Sequence, residues 1–281
     1  MLEPLQDEFM RRAIAEMALI GLAGGALGCW IVLYEFSYAA ESLAHSLFPG
    51  LVLAALTGIP LLLGATPAIL VAALAIVLAA RASGISRDVA VAIVVTTMFG
   101  LGALLALSPD SPPGIEALLF GDILGPTDAD LAAAAAMAIV IPAALWALHS
   151  RLLSSGFDRA AAAALGVSPG RVEALLAVLL AAATVVSVQG LGNLLVVAVL
   201  VGPAAAARQL SDRIVPMLFL AAGIAVLAGV AGLYASYYLG TAAGASIALA
   251  MFAAYLLSLP IGRLRAWRGS PGPAKPRATI A

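Results

Sequence analysis

The sequence predicts an all-α, polytopic membrane protein, and two observations decide this. The chain is 63% hydrophobic and only 10% charged, with a mean hydropathy of +1.10, where soluble domains carry about 25% charged residues. Apolar stretches long enough for a bilayer, about 20 residues for a hydrocarbon core about 30 Å thick, also follow one another almost from end to end.

The apolar runs fall at 14–33, 38–57, 60–80, 89–107, 131–148, 172–188, 191–207, 214–239 and 243–259. These predict nine transmembrane helices. The sixth and seventh are short and separated only by Gln189-Gly190, so one broken hairpin and eight spans is the alternative. The first ten residues are acidic and lack the basic start of a cleavable signal peptide. Residues 1–13 are expected to be an extracytoplasmic N-terminus, 14–260 the transmembrane permease domain, and 261–281 a basic, Pro- and Gly-rich, disordered cytosolic tail.

Orientation follows from Lys and Arg in the short loops. With the N-terminus outside, twelve of the fourteen basic residues are cytosolic and only Arg11 and Arg12 are external. The outer loop 108–130 carries Asp110, Glu116, Asp122, Asp128 and Asp130 with no Lys or Arg, a charge pattern that raises the local cation concentration. Within it, 114–124 is too apolar for a solvated loop and predicts a short interfacial helix suited to docking a partner. On the inner side, in 150–171, Asp158 or Ser155 is placed to cap a helix, the alanines favour it, and Gly166 ends it before Ser168-Pro169-Gly170. That surface helix is a handle for a soluble partner, or an ordinary structured loop. Gly21-xxx-Gly25, Gly24-xxx-Gly28 and Gly240-xxx-Gly244 predict close helix packing.

The chemistry concentrates at Glu41-Ser-Leu-Ala-His45, two ionisable side chains four residues apart and therefore on one helical face. A carboxylate at bilayer depth costs roughly 3 kcal/mol, so it faces a pathway or a partner rather than lipid. Imidazole beside carboxylate is a ready pair of ligands for a divalent transition metal. Two ligands hold an ion weakly, which suits a transporter. The alternative is structural, with Glu41 at the helix start and His45 bonded to a neighbouring helix. A second polar pair, Gln189 and Asn193, stands at the sixth and seventh spans ahead of Pro203 and gives pathway candidates or an interhelical hydrogen bond.

Several classes are excluded. The one lysine, Lys275, lies in the tail, so a phosphate-binding Gly-x-x-x-x-Gly-Lys-Ser/Thr loop is impossible and the chain has no such ATPase site. Cys29 is a lone cysteine and forms no intrachain disulfide. No hydrolytic or redox motif is present, and a net charge of −1 gives no basic field for nucleic acid.

Five segments, taken in order over about residues 14–260, resemble the integral membrane permease of the bacterial metal-ion ABC importers, the zinc and manganese uptake family. They are Phe36-Ser-Tyr38 with Glu41-Ser-Leu-Ala-His45 and Pro49-Gly50; Ala117-Leu-Leu-Phe-Gly-Asp-Ile-Leu-Gly125 with Asp130-Leu131; Phe157-Asp158 with Ala164-Leu-Gly-Val167 and Arg171-Val172; 190–207 with its Pro203-Ala-Ala-Ala-Ala; and Thr241-Ala-Ala-Gly-Ala-Ser246. The resemblance implies a type II importer: a homodimer of permeases, two cytosolic ATPase subunits and an extracytoplasmic metal-binding protein. It implies that Glu41 and His45 are the metal site of the translocation path, and that Phe157, Asp158, Ala164, Leu165 and Gly166 belong to the ATPase-coupling loop. Two positions depart from the family's usual residues: Glu41 stands for an aspartate, and Tyr34-Glu35 for a basic pair.

The leading expectation is a passive permease subunit, with no permanently bound cofactor, that moves a divalent metal inward when a separate ATPase cycles. Zinc is favoured over manganese or iron because His plus carboxylate suits it. A proton- or sodium-coupled transporter would work alone, and a membrane scaffold would leave the intramembrane carboxylate without a task.

Overall fold

The computed structural model describes residues 3–80, 87–109, 125–192 and 195–269. Among them there is no strand. After a short 3-10 turn at Glu3–Gln6 the helices are α1 (Glu8–Leu33), α2 (Ser37–Thr57), α3 (Leu61–Ala80), α4 (Arg87–Ala106), α5 (Asp128–Ala147), α6 (His149–Phe157), α7 (Arg159–Ala164), α8 (Pro169–Leu191), α9 (Val196–Leu210), α10 (Ile214–Leu239) and α11 (Ala243–Gly269). Seven of these, α1, α2, α4, α5, α8, α10 and α11, are long and apolar enough to cross a membrane, while α3 and α9 carry shorter apolar stretches at 63–76 and 196–210. Among the described residues these nine helices occupy the nine predicted runs.

Three boundaries differ from expectation. Residues 8–13, assigned to an extracytoplasmic N-terminus, are the opening turns of α1, which starts behind Asp7 in extended conformation with Glu8 in its first turn. At the other end α11 stays helical through Gly269, so 261–269 is helix rather than tail; residues 270–281 lie outside the described residues, as does the expected interfacial helix at 114–124. The break between the sixth and seventh spans is not at Gln189-Gly190, through which α8 runs unbroken to Leu191. It falls at Gly192, whose φ of 74° is open to glycine and strained for other residues.

Packing is organised around α1, which is buried along most of its length and contacts α10, α9 and α5. Its glycines form two stripes. A methyl group at Gly21 or Gly25 would meet the α10 backbone at Ala225–Val226 or Ala221–Ala222, and one at Gly24 or Gly28 would meet Leu200 of α9. Each predicted small-residue motif on α1 therefore seats a different helix. Gly240 does otherwise: it caps α10 with φ 62° and faces open space, so the third motif is a turn and not a contact. An unanticipated crossing occurs where Gly50 of α2 and Gly64 of α3 each abut the other's carbonyl.

Side chains tie the two ends of the bundle. At one end Arg12 donates to Asp128 Oδ1 at 2.8 Å and Tyr237 donates to Asp7 Oδ2 at 3.0 Å. At the other, Tyr34 donates to the Leu152 carbonyl at 2.8 Å, and Arg265 meets Asp212 at 3.7 Å. Large apolar side chains such as Leu63, Leu70, Ile139, Phe219, Leu227 and Leu257 project outward from the spans, an arrangement suited to acyl chains rather than water.

Candidate functional site

Helix α2 begins immediately after a tight turn. Phe36 N–H bonds to Ile31 O and Glu35 N–H to Val32 O, closing α1 with a Schellman motif in which Glu35 takes the left-handed conformation, φ 57°. One turn into α2, Glu41 and His45 lie on one face, with Glu41 Oε1 4.0 Å from His45 Nε2. That separation is too long for a hydrogen bond and leaves both groups available to a third atom. The Glu41 side chain is 55% exposed and that of His45 24%, so the pair opens on the outside of the chain. The imidazole sits edge-on to Phe99 of α4 with ring centroids 5.3 Å apart, and Phe99 in turn stacks on Phe48. His45 Nδ1 is buried and has no hydrogen-bond partner among the described residues.

Pro49 lies inside α2. A proline has no N–H, so the carbonyl of His45, four residues back, lacks its usual helical donor. The next face of α2 carries Ser42 and Ser46 into a crevice of about 470 Å³ shared with α3, α4 and α8. Ser42 donates to the Tyr38 carbonyl, while Ser46 Oγ is buried without a partner among the described residues. Chemically this is a region of unspent donors and acceptors, fit to bind a cation weakly. No group of three or more His, Cys, Asp or Glu side chains gathers among the described residues, so there Glu41 and His45 stand as a pair with no third ionisable side chain.

The second cluster lies at the opposite face from the N-terminus. Asp158 is the helix cap: its Oδ1 accepts from Ala160 N–H at 2.9 Å and Ala161 N–H at 3.0 Å, which starts α7. Ser155, the other predicted cap, is buried inside α6. Gly166, at φ 80°, ends the unit as predicted. Phe157 is 88% exposed and Leu165 77%, so two apolar side chains flank the cap, with Ala164 also exposed. Arg159 bridges to Glu173 of α8 at 2.8 Å and ties α7 to the bundle.

Sequence reasoning missed Glu16. It lies in the core of α1 at 1% exposure, its carboxylate pressed against Gly190 of α8 where any Cβ would collide with it. An ionisable residue at such a position in a membrane helix is costly to bury. Glu16 falls in register with the buried positions Ala13, Met17 and Ile20 of α1, but near the start of the apolar run the sequence gives no sign that separates it from an ordinary first-turn acid. Of the predicted pathway residues, Asn193 and the Gln189 side chain lie outside the described residues, although the backbone of 189–190 stands beside Glu16.

Residues 6–262 match the model of the ABC 3 transport family. The chain belongs to that family. It is 33% identical over 272 residues, 94% of this chain and 93% of the relative, to the manganese transport system membrane protein MntC of Halalkalibacterium halodurans. It is 30% identical over 94% of its length, and 98% of the relative's, to a probable iron transport system membrane protein of Haemophilus influenzae. Among solved structures, PsaBC from Streptococcus pneumoniae in complex with Fab matches with a TM-score of 0.87 at 30% identity, over 95% of this chain and 98% of the other. The family resemblance read from the five segments is thus borne out. The chain is a multi-pass permease of the bacterial inner membrane.

Proposed function

We propose that this chain is the translocation subunit of an ATP-driven importer of a divalent transition metal, with Glu41 and His45 as the ligands that receive the ion in transit. The observation that carries this reading is the pair itself: a carboxylate and an imidazole held 4.0 Å apart on the open face of α2, with a buried, unpartnered Nδ1. Neutral nitrogen plus carboxylate oxygen is a transition-metal donor set. Among the described residues one chain brings only these two ionisable side chains together; a second copy facing the first would supply another pair and make a four-donor site on the dimer axis. An extracytoplasmic binding protein would deliver the ion. Cytosolic ATPase subunits would dock on the 157–166 unit, with Phe157, Leu165 and Ala164 as apolar contacts, Asp158 fixing the helix and Gly166 its end. Glu16, with Gln189 and Asn193, would mark a further stretch of the path at the α8–α9 break.

Manganese is the substrate we favour, with iron next. The donor pair alone leans toward zinc, but the relatives carry manganese or iron in their names, and overall similarity of this extent outweighs a soft ligand preference.

The test is elemental analysis of cells that lack their own high-affinity metal importers, complemented with the complete transport system carrying either the wild-type permease or His45→Ala. Wild type should restore cellular manganese, and His45→Ala should fail to do so at equal membrane abundance. Equal manganese in both strains would return His45 to a packing role; restoration of zinc alone would reverse the substrate assignment.

A further inference from the structure

Several cavities indent the described helical surface, and one of them is lined by arginines. It has a volume of about 490 Å³ and lies where the end of α1, helix α6 and the α9–α10 turn meet. Its interior is apolar, with Trp30, Leu33, Leu153 and Met217 in the lining, and its mouth carries Arg208, Arg213 and Asp212. Asp212 is engaged by Arg265 at 3.7 Å, whereas Arg208 and Arg213 have no ion-pair partner among the described residues. An oily cavity at the ends of membrane helices, gated by two free guanidinium groups, has the polarity of a phospholipid: acyl chain inward, phosphate at the rim. Four further cavities carry no Lys or Arg in their walls, their polar lining including His149, Thr66, Thr57, or Glu35 with Ser42 and Ser46.

We propose that this cavity is a specific site for one anionic phospholipid of the inner leaflet, wedged beneath the α6–α7 unit. Two features of the lining make the position consequential. Tyr34, which closes one wall, holds α6 through its hydrogen bond to the Leu152 carbonyl, and Gly156 packs on the Tyr34 ring. Phe157 continues from the cavity wall to the exposed tip beside the Asp158 cap. A lipid in this place would therefore set the height of the unit assigned to ATPase docking. The binding site itself stands independently of that assignment.

Native mass spectrometry of the purified full-length chain would test it, with phosphatidylglycerol and phosphatidylcholine of identical acyl chains added in parallel. Wild type should retain one phosphatidylglycerol at roughly 30-fold lower lipid concentration than phosphatidylcholine, the preference expected from two arginines at a membrane surface. The Arg208→Gln/Arg213→Gln variant should lose that preference, while Arg171→Gln, outside the cavity, keeps it. Leu153→Trp fills the cavity without changing charge and should abolish retention of either lipid. Undiminished phosphatidylglycerol binding in the double arginine variant or in Leu153→Trp would overturn the proposal. So would efficient cross-linking of Leu153→Cys to an ATPase subunit in the assembled, lipid-embedded complex, since protein rather than lipid would then occupy the space.

Discussion

Glu16 and Gly190 show how a single pair of residues constrains a membrane bundle. The carboxylate occupies the volume that any side chain at 190 would need, and close-packed interiors absorb such an intrusion only by moving helices or straining rotamers, at about 1–3 kcal/mol. Gly190→Ala should therefore lower the thermal stability of the purified protein, and Glu16→Ala in the same chain should restore most of the loss. An unchanged melting temperature in Gly190→Ala would show that the contact is loose. A non-additive cycle, in contrast, would assign the two residues to one packing unit. Glu41 and His45 were legible because helical spacing alone unites them. Glu16 was not, because its partner position is a glycine far along the chain, and a lone acid close to a helix start reads as an ordinary first-turn residue.

At the level of elements, the sequence spoke most clearly where a residue has one physical task. Asp158 accepts two backbone N–H groups and Gly166 takes the left-handed turn, so a six-residue helix with little core of its own forms between them. Such a helix depends on its cap: Asp158→Ala should cost about 1 kcal/mol of local stability. Hydrogen exchange in 159–165 should speed up in that variant, and metal-dependent ATP hydrolysis by the assembled complex should fall. Asp158→Ser restores a capping oxygen without the charge and should recover both; recovery of neither would assign Asp158 a direct contact with the partner instead. Legibility failed where tertiary contacts override local pattern. Gln189 and Gly190 look like a break, yet Gly190 packs against Glu16 of α1 and the helix continues, leaving the turn to Gly192, which adopts the positive φ. Helix α6, at nine residues and with only Leu152 and Ser155 buried, is too short and too polar to stand out beside the apolar runs.

For the whole molecule, the count of apolar runs and the asymmetry of basic residues were enough to anticipate the nine-helix arrangement, because a bilayer imposes one length on every span and a charge bias on the loops. The assembled state is a different matter, since a second copy leaves no mark in the hydropathy of the first. The proposal of a second copy rests on chemistry: two donors on an open face of α2, no third among the described ionisable side chains, and 55% of the Glu41 side chain turned outward. If the metal site is shared across a dimer, the two copies cannot act separately. A complex containing one wild-type chain and one His45→Ala chain, isolated through two different affinity tags, should then have only three of the four side-chain donors and transport at nearly the rate of the doubly substituted complex. It should also lose the high-affinity metal equivalent that the wild-type pair binds once per two chains. Were each chain to carry its own pathway, the mixed complex would keep about half the transport rate and one site of unchanged affinity. The mixed complex thus separates a pathway made by one permease from one that exists only between two.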